Sequence, residues 1–148
     1  MSFPKAVVLD LDGTVWDPEM YQLYGGSPFS TTSTPDVIKD CSGTKVNLYS
    51  GVLTAIRETK DSRSYLCIAS STDEPMWARE CLTKFFVDET FHEPISSKFD
   101  VVEIYKGSKV NHLEQIRNKT GLTYEDILFI DNEQWNIRSV SSLGVPSY

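Results

Sequence analysis

Three short apolar runs limit most strongly how this chain folds: Ala6-Val7-Val8-Leu9, Tyr65-Leu66-Cys67-Ile68-Ala69 and Ile127-Leu128-Phe129-Ile130. A strand with one wet face alternates apolar and polar residues. A run that is apolar at every position suits a strand covered on both faces, as in a parallel sheet. Val101-Val102-Glu103-Ile104-Tyr105 is a further candidate strand. Helical stretches lie between and after these runs. Gly51 to Lys60 puts Val52, Leu53 and Ile56 on one face. A helix beginning near Pro75, capped from within Ser71 to Asp73, presents Ala78, Cys81, Leu82, Phe85 and Phe86. Ser108 caps a helix from Lys109 to Lys119 that stops at Gly121 and buries Val110, Leu113 and Ile116. Asn132 to Ser141 is a last helix, and Val145-Pro146 begins an edge strand. Strands alternating with helices predict an α/β fold, a doubly wound parallel sheet that binds ligands beyond the carboxyl ends of its strands.

The stretch from about 18 to 48 breaks this rhythm with Gly25-Gly26, Ser27-Pro28 and a Ser/Thr run from Ser30 to Thr34. Within it, Val37 to Asp40 and Lys45 to Leu48 flank Cys41-Ser42-Gly43-Thr44, which predicts a β-hairpin with Gly43 in the turn. An insertion of this size makes a small flap and leaves no room for a large cap. At 148 residues the expectation is a single domain over 1–148.

Chemistry-bearing residues stand at the ends of these elements. The first strand runs out through Asp10 and Asp12, the second through Ser70, and the fourth through Asp131; Lys109 opens a helix. In a parallel sheet these ends share one rim. Two carboxylates two residues apart repel unless a cation sits between them, and Mg²⁺ suits oxygen ligands and a substrate phosphate. The net charge of −7 excludes a nucleic-acid binder, which needs a basic stripe. It also requires local positive charge wherever an anion docks, which Lys109 and a metal supply. Cys41, Cys67 and Cys81 form no C-x-x-C pair, so reduced thiols are expected, with Cys67 as core filler. No apolar stretch approaches the roughly 20 residues of a membrane span. The opening M-S-F-P-K leads directly into a strand and leaves no room for a signal peptide. The cytoplasm is the expected location, without nucleic-acid or membrane partners.

The ordered set D-L-D-G-T, Ser70, Lys109 and Asp131 resembles the four motifs of the haloacid-dehalogenase (HAD)-like superfamily of phosphohydrolases. The segments D-L-D-G-T-V-W, A-S-S-T, Y-K-G-S-K-V-N-H-L and F-I-D-N-E-Q-W-N-I are similar to those of the magnesium-dependent phosphatase-1 family. The resemblance covers essentially the whole chain. It implies a Mg²⁺-dependent phosphatase of acid phosphatase or protein-tyrosine-phosphatase type, with Asp10 as nucleophile and Asp12 as acid and base. It implies Ser70, Ser71 and Lys109 as substrate-facing residues. The implied metal ligands are Asp10, Asp12 through its carbonyl, and Asp131. The implied substrate is a phosphorylated small molecule or a phosphoprotein, including phosphotyrosine and phosphorylated sugar adducts of proteins. Three positions depart from that pattern: Gly13 where tyrosine is frequent, Ser71 where arginine is expected, and Asn132 where a second aspartate is usual.

Two alternatives stand beside the hydrolase: a non-catalytic scaffold that binds phosphate and Mg²⁺, and a phosphotransferase, which would need a cap. Trp16, Tyr21, Tyr24 and Phe29 either stack on a leaving group or pack the hairpin onto the core. His112 is expected to be an ordinary helix residue beside the apolar stripe.

Overall fold

The computed structural model describes residues 2–148. In chain order the elements are β1 (Ala6–Leu9), β2 (Trp16–Asp17), β3 (Ser30–Thr31), β4 (Val37–Lys39), β5 (Lys45–Leu48), α1 (Val52–Asp61), β6 (Tyr65–Ser70), α2 (Pro75–Lys84), β7 (Val101–Ile104), α3 (Lys109–Thr120), β8 (Ile127–Ile130) and α4 (Gln134–Ser141). Four of them form a parallel sheet in the order β7-β6-β1-β8. Leu9 pairs with Ile68 on one side and Ile130 on the other, so β1 is central. Successive side chains of β1 point to opposite faces. Val7 and Leu9 join Ile56, Leu66, Ile68 and Ala78 in one core, whereas Ala6 and Val8 join Cys67, Leu113, Ile116 and Val140 in another. Helices α1 and α2 therefore cover one face and α3 and α4 the other, which is the doubly wound arrangement expected from the unbroken apolar runs.

The hairpin between Val37 and Leu48 is present and belongs to a four-stranded antiparallel sheet ordered β2-β5-β4-β3. Gly43 takes a left-handed φ of +90° in its turn. The Asp40 carboxylate closes that turn by accepting from the amides of Ser42 at 3.0 Å and Thr44 at 2.8 Å. Ile38 and Val46, both fully buried, join the same core as Trp16 and Phe85, so this sheet is docked on the main one. Trp16 stacks on Phe85 with ring centroids 5.9 Å apart, a geometry that contributes about 0.5–1.5 kcal/mol beyond the area it buries.

Four local expectations are corrected. Helix α2 has Glu74 at its N-cap without a side-chain bond, and the Thr72 hydroxyl accepts from the Glu74 amide at 3.3 Å; Pro75 at the first helical position leaves one fewer N–H to satisfy. Helix α4 starts at Gln134, because Asn132 turns toward the rim. Val145-Pro146 makes no strand; beside it there is one bridge, Phe129 with Ser147. The buried face of α3 is Lys109, His112, Leu113 and Ile116, and Val110 is only half-buried. That set has the spacing i, i+3, i+4, i+7 of one helical face, but two of its members are polar, which hides it from a search for apolar residues.

All three cysteines are free; Cys67 and Cys81 are buried, and burial pushes the Cys67 thiol up to about 12. Among the described residues no helix is long and apolar enough to cross a membrane.

Candidate active site

Asp10 lies just past β1, and its amide donates to the Ile130 carbonyl at 3.0 Å, which fixes it between β1 and β8. Its Oδ1 accepts from Lys109 Nζ at 3.0 Å and its Oδ2 from the Thr14 hydroxyl at 3.3 Å. Lys109 is the first residue of α3, whose N-cap Ser108 accepts from the Val110 amide at 3.2 Å. The Lys109 ammonium also donates to Asp131 Oδ2 at 2.6 Å. Side-chain exposure is 1% for Lys109 and 0% for Asp131, so one buried cation faces two buried carboxylates. Burial pushes the Asp10 carboxyl up to about 7; Lys109 opposes this and the charge of Asp131 adds to it. The rim is short of positive charge.

Asp12 is half-buried. Its Oδ1 accepts from Trp16 Nε1 at 2.8 Å and from the Met20 amide at 3.2 Å, and its Oδ2 has no hydrogen-bond partner among the described residues. One oxygen is anchored and the other is unbonded. Asp131 is committed differently. Its Oδ1 accepts from the Glu133 amide at 2.8 Å, and its Oδ2 from Asn136 Nδ2 at 3.2 Å as well as from Lys109. Asn132 takes the place beside Asp10. With its amide nitrogen inward it donates to Asp10 Oδ2 at 2.8 Å and to the Asp12 carbonyl at 3.1 Å; the opposite amide orientation turns Oδ1 toward the same two oxygens.

No three His, Cys, Asp or Glu side chains form a metal cage among the described residues. The donors grouped at the rim are the Asp10 carboxylate, the Asp12 carbonyl and the Asn132 amide, whereas both oxygens of Asp131, the third ligand expected from the resemblance, accept from Lys109, the Glu133 amide and Asn136. The inward atom of the Asn132 amide lies 2.8 and 3.1 Å from the other two oxygens, near the spacing of about 2.9 Å between ligands on a Mg²⁺ ion with bonds of about 2.1 Å. An all-oxygen set in a cation-poor rim fits Mg²⁺. Gly13 makes the approach possible: its φ is +80°, and an added Cβ would lie 2.5 Å from Asn132 Nδ2. Two of the three departures from the resembled pattern are therefore in contact.

Ser70, 1% exposed, ends β6, and its hydroxyl accepts from the Thr72 amide at 3.3 Å. Asp10, Asp12, Ser70, Ser71, Lys109 and Asn132 all line one cavity of about 430 Å³ at the carboxyl rim of the sheet. The structure also brings there Glu19, Glu133, and the exposed Tyr21 and Trp135. Of the four aromatics singled out from the sequence, Trp16 and Phe29 are core residues, Phe29 packing edge-on to Trp77. Tyr24 is 96% exposed and does not line the cavity. Tyr21 alone does. Trp135 was missed; its signal was its place in F-I-D-N-E-Q-W, directly after the fourth strand end. Thr14 was also missed, in D-L-D-G-T itself.

The family model described as Acid Phosphatase matches residues 2–148. A HAD-like hydrolase superfamily protein of Schizosaccharomyces pombe is 34% identical over 148 residues, covering 98% of this chain and 84% of that protein. Magnesium-dependent phosphatase 1 of Homo sapiens is 33% identical over 142 residues, covering 96% of this chain and 75% of that protein. A HAD family enzyme of Bacteroides thetaiotaomicron, solved with magnesium and inorganic phosphate, aligns with a TM-score of 0.67 at 14% identity, covering 99% of this chain and 93% of that one. That last likeness is one of fold.

Proposed function

The chain belongs to the acid phosphatase family, and from that we propose that it is a Mg²⁺-dependent phosphomonoester hydrolase working through an aspartyl-phosphate on Asp10. The observation that carries the proposal is the position of Asp10: one carboxylate oxygen on Lys109, the other beside the Asp12 carbonyl and the Asn132 side-chain amide. The metal would be held by the Asp10 carboxylate, the Asp12 carbonyl and the Asn132 amide oxygen. Asp131 stands behind them and orients Lys109. Bound there, Mg²⁺ supplies positive charge against the carboxylates and the phosphoryl oxygens.

The protein's own groups do the rest. Lys109 donates to Asp10 and to a phosphoryl oxygen, and Ser70 donates to another. The Asp10 carboxylate attacks phosphorus as the bond to the leaving oxygen breaks, and Asp12 gives that oxygen its proton. Asp12 then takes a proton from water as water attacks the aspartyl-phosphate, releasing inorganic phosphate and restoring both aspartates. Trp16 and Met20 hold Asp12 in place for both proton transfers.

With no large cap over the rim, the cavity admits a phosphate carried on a large molecule. Tyr21 and Trp135 suit an aromatic or sugar leaving group, so phosphotyrosine and phosphorylated sugar adducts of proteins are the proposed substrates. The cytoplasm is the proposed place of action, which three free cysteines suit.

The test is hydrolysis of p-nitrophenyl phosphate, phosphotyrosine peptide and a phosphorylated sugar adduct, in Mg²⁺ and in EDTA, by wild type and Asp10→Asn. We expect turnover only in wild type with Mg²⁺. A folded protein that binds phosphate but hydrolyses none of them is a scaffold. Full activity in EDTA, or in Asp10→Asn, overturns the mechanism.

A further inference from the structure

His112 is fully buried on α3, three residues after Lys109 and on the same face of the helix. Its Nε2 lies 2.9 Å from two backbone carbonyl oxygens, those of Ser70 and Tyr105. Its Nδ1 lies 2.9 Å from the Ser108 carbonyl. The Tyr105 ring stacks on the imidazole, with centroids 4.2 Å apart and planes 11° apart. Carbonyl oxygens only accept, so each bond requires the ring to donate. A neutral imidazole has one N–H and serves either Ser108 or the Ser70–Tyr105 pair; a doubly protonated ring serves both.

The three carbonyls belong to the pieces of chain that face the phosphate. Ser70 ends β6, Tyr105 leads into the turn before α3, and Ser108 caps α3 at Lys109. The Tyr105 amide also donates to the Ser70 carbonyl at 3.0 Å, so that oxygen is held from two directions. A leucine would fill the same space and make none of these bonds.

We infer that His112 is a positioning residue: its Nε2–H ties the carbonyls of Ser70 and Tyr105 to α3 and so sets the separation of Ser70 and Lys109 around the phosphoryl group. This rests on the phosphatase function proposed above. The hydrogen bonds of His112 go to Ser70, Tyr105 and Ser108 and none goes to Asp10, Asp12 or Asn132, the groups assigned to the metal. Its loss therefore acts on phosphate and leaves metal binding alone.

Two amide substitutions separate the two ends of the ring. Glutamine carries its amide nitrogen at about the reach of Nε2, and asparagine at about the reach of Nδ1. His112→Gln keeps donors for Ser70 and Tyr105; His112→Asn keeps only the one for Ser108. We expect His112→Asn to raise KM for p-nitrophenyl phosphate, and the inhibition constant of inorganic phosphate, by about 10-fold. His112→Gln should stay within about threefold of wild type, and half-saturating Mg²⁺ should move by less than about twofold in either. Losses that are equal in the two variants and follow their thermal melting, or a shared shift in Mg²⁺ dependence, overturn the inference in favour of general packing. Ring ¹⁵N shifts of the wild-type protein need no variant: an Nε2 that carries no hydrogen overturns it too. A wild type that hydrolyses and binds no phosphate removes the phosphatase function and this inference together. An active wild type with an unchanged His112→Asn removes the inference alone.

Discussion

At the scale of the residue, the oxygens around Asp10 decide what can bind. In the proposed metal site Asn132 is a neutral ligand where a carboxylate is usual in the resembled family, and it lies against Gly13, where an added Cβ would come within 2.5 Å of its Nδ2. Asn132→Asp keeps the shape and adds a charge. A charged ligand in place of a neutral one contributes about 1.5–3 kcal/mol, so Mg²⁺ affinity should rise by roughly 10-fold or more. The same substitution places another anion against Asp10 Oδ2 when metal is absent, so the metal-free variant should melt below wild type. Calorimetric titration with Mg²⁺ and a melt in EDTA read the two effects separately. An unchanged Mg²⁺ affinity would show that Asn132 does not reach the metal. Gly13→Ala should be poorly tolerated in either background, because both the φ of +80° and the 2.5 Å approach to Asn132 exclude a side chain.

At the scale of the element, each functional side chain hangs on an end. Lys109 shows the cost of loosening one. It is the first residue of α3, and the Ser108 cap fixes where that helix starts. Ser108→Ala should cost about 1 kcal/mol of stability in urea and raise KM, whereas Ser108→Gly should cost only a few tenths. No loss in Ser108→Ala would mean that the hydroxyl does no capping. The element ends were legible in the sequence because they carry local signals. The apolar runs gave β1 and β8 to the residue; serine before Lys109 and glycine at 121 gave both ends of α3. What stayed hidden was tertiary. His112 sits on the buried face of α3 because three backbone carbonyls await it, and nothing in a periodic search rewards a polar residue for that. Trp16 could be core or substrate platform until its indole was seen to be enclosed against Phe85 and bonded to Asp12. Strands of two residues, β2 and β3, are too short to leave a pattern, so the docked four-stranded sheet was visible only as its one hairpin.

At the scale of the whole molecule, the charge-starved rim couples folding to metal and to pH. Burial raises the Asp10 carboxyl from 3.8 to about 7, against the pull of Lys109 and with the help of Asp131. The folded chain therefore holds a proton that the unfolded chain releases near 3.8. Stability from this group is fully present below that pH and is lost as pH rises through about 7. Asp40 works in a separate window. Burial raises it, but hydrogen bonds from Ser42, Gly26, Thr44 and Gly25 outweigh that and bring it to about 2, so its contribution is lost only as pH falls toward 2. Between pH 5 and 8 the Asp10 proton dominates, and Mg²⁺ competes with it. At pH 8 Asp10 is ionised and free for the metal. At pH 5 the metal must displace a proton held with a pKa of about 7, which weakens its apparent affinity roughly 100-fold. Mg²⁺ supplied at about 100 times its dissociation constant at pH 8 should stabilise the fold by about 2.7 kcal/mol, and by only about 0.4 kcal/mol at pH 5. For a chain of 148 residues that corresponds to a rise in Tm of roughly 5–10 °C at pH 8 and about 1–2 °C at pH 5. Thermal melts with EDTA and with Mg²⁺ at the two pH values provide the measurement, and the difference within each pH cancels every group the metal does not touch. Equal Mg²⁺-induced shifts at pH 5 and pH 8 would show that the metal does not sit against Asp10.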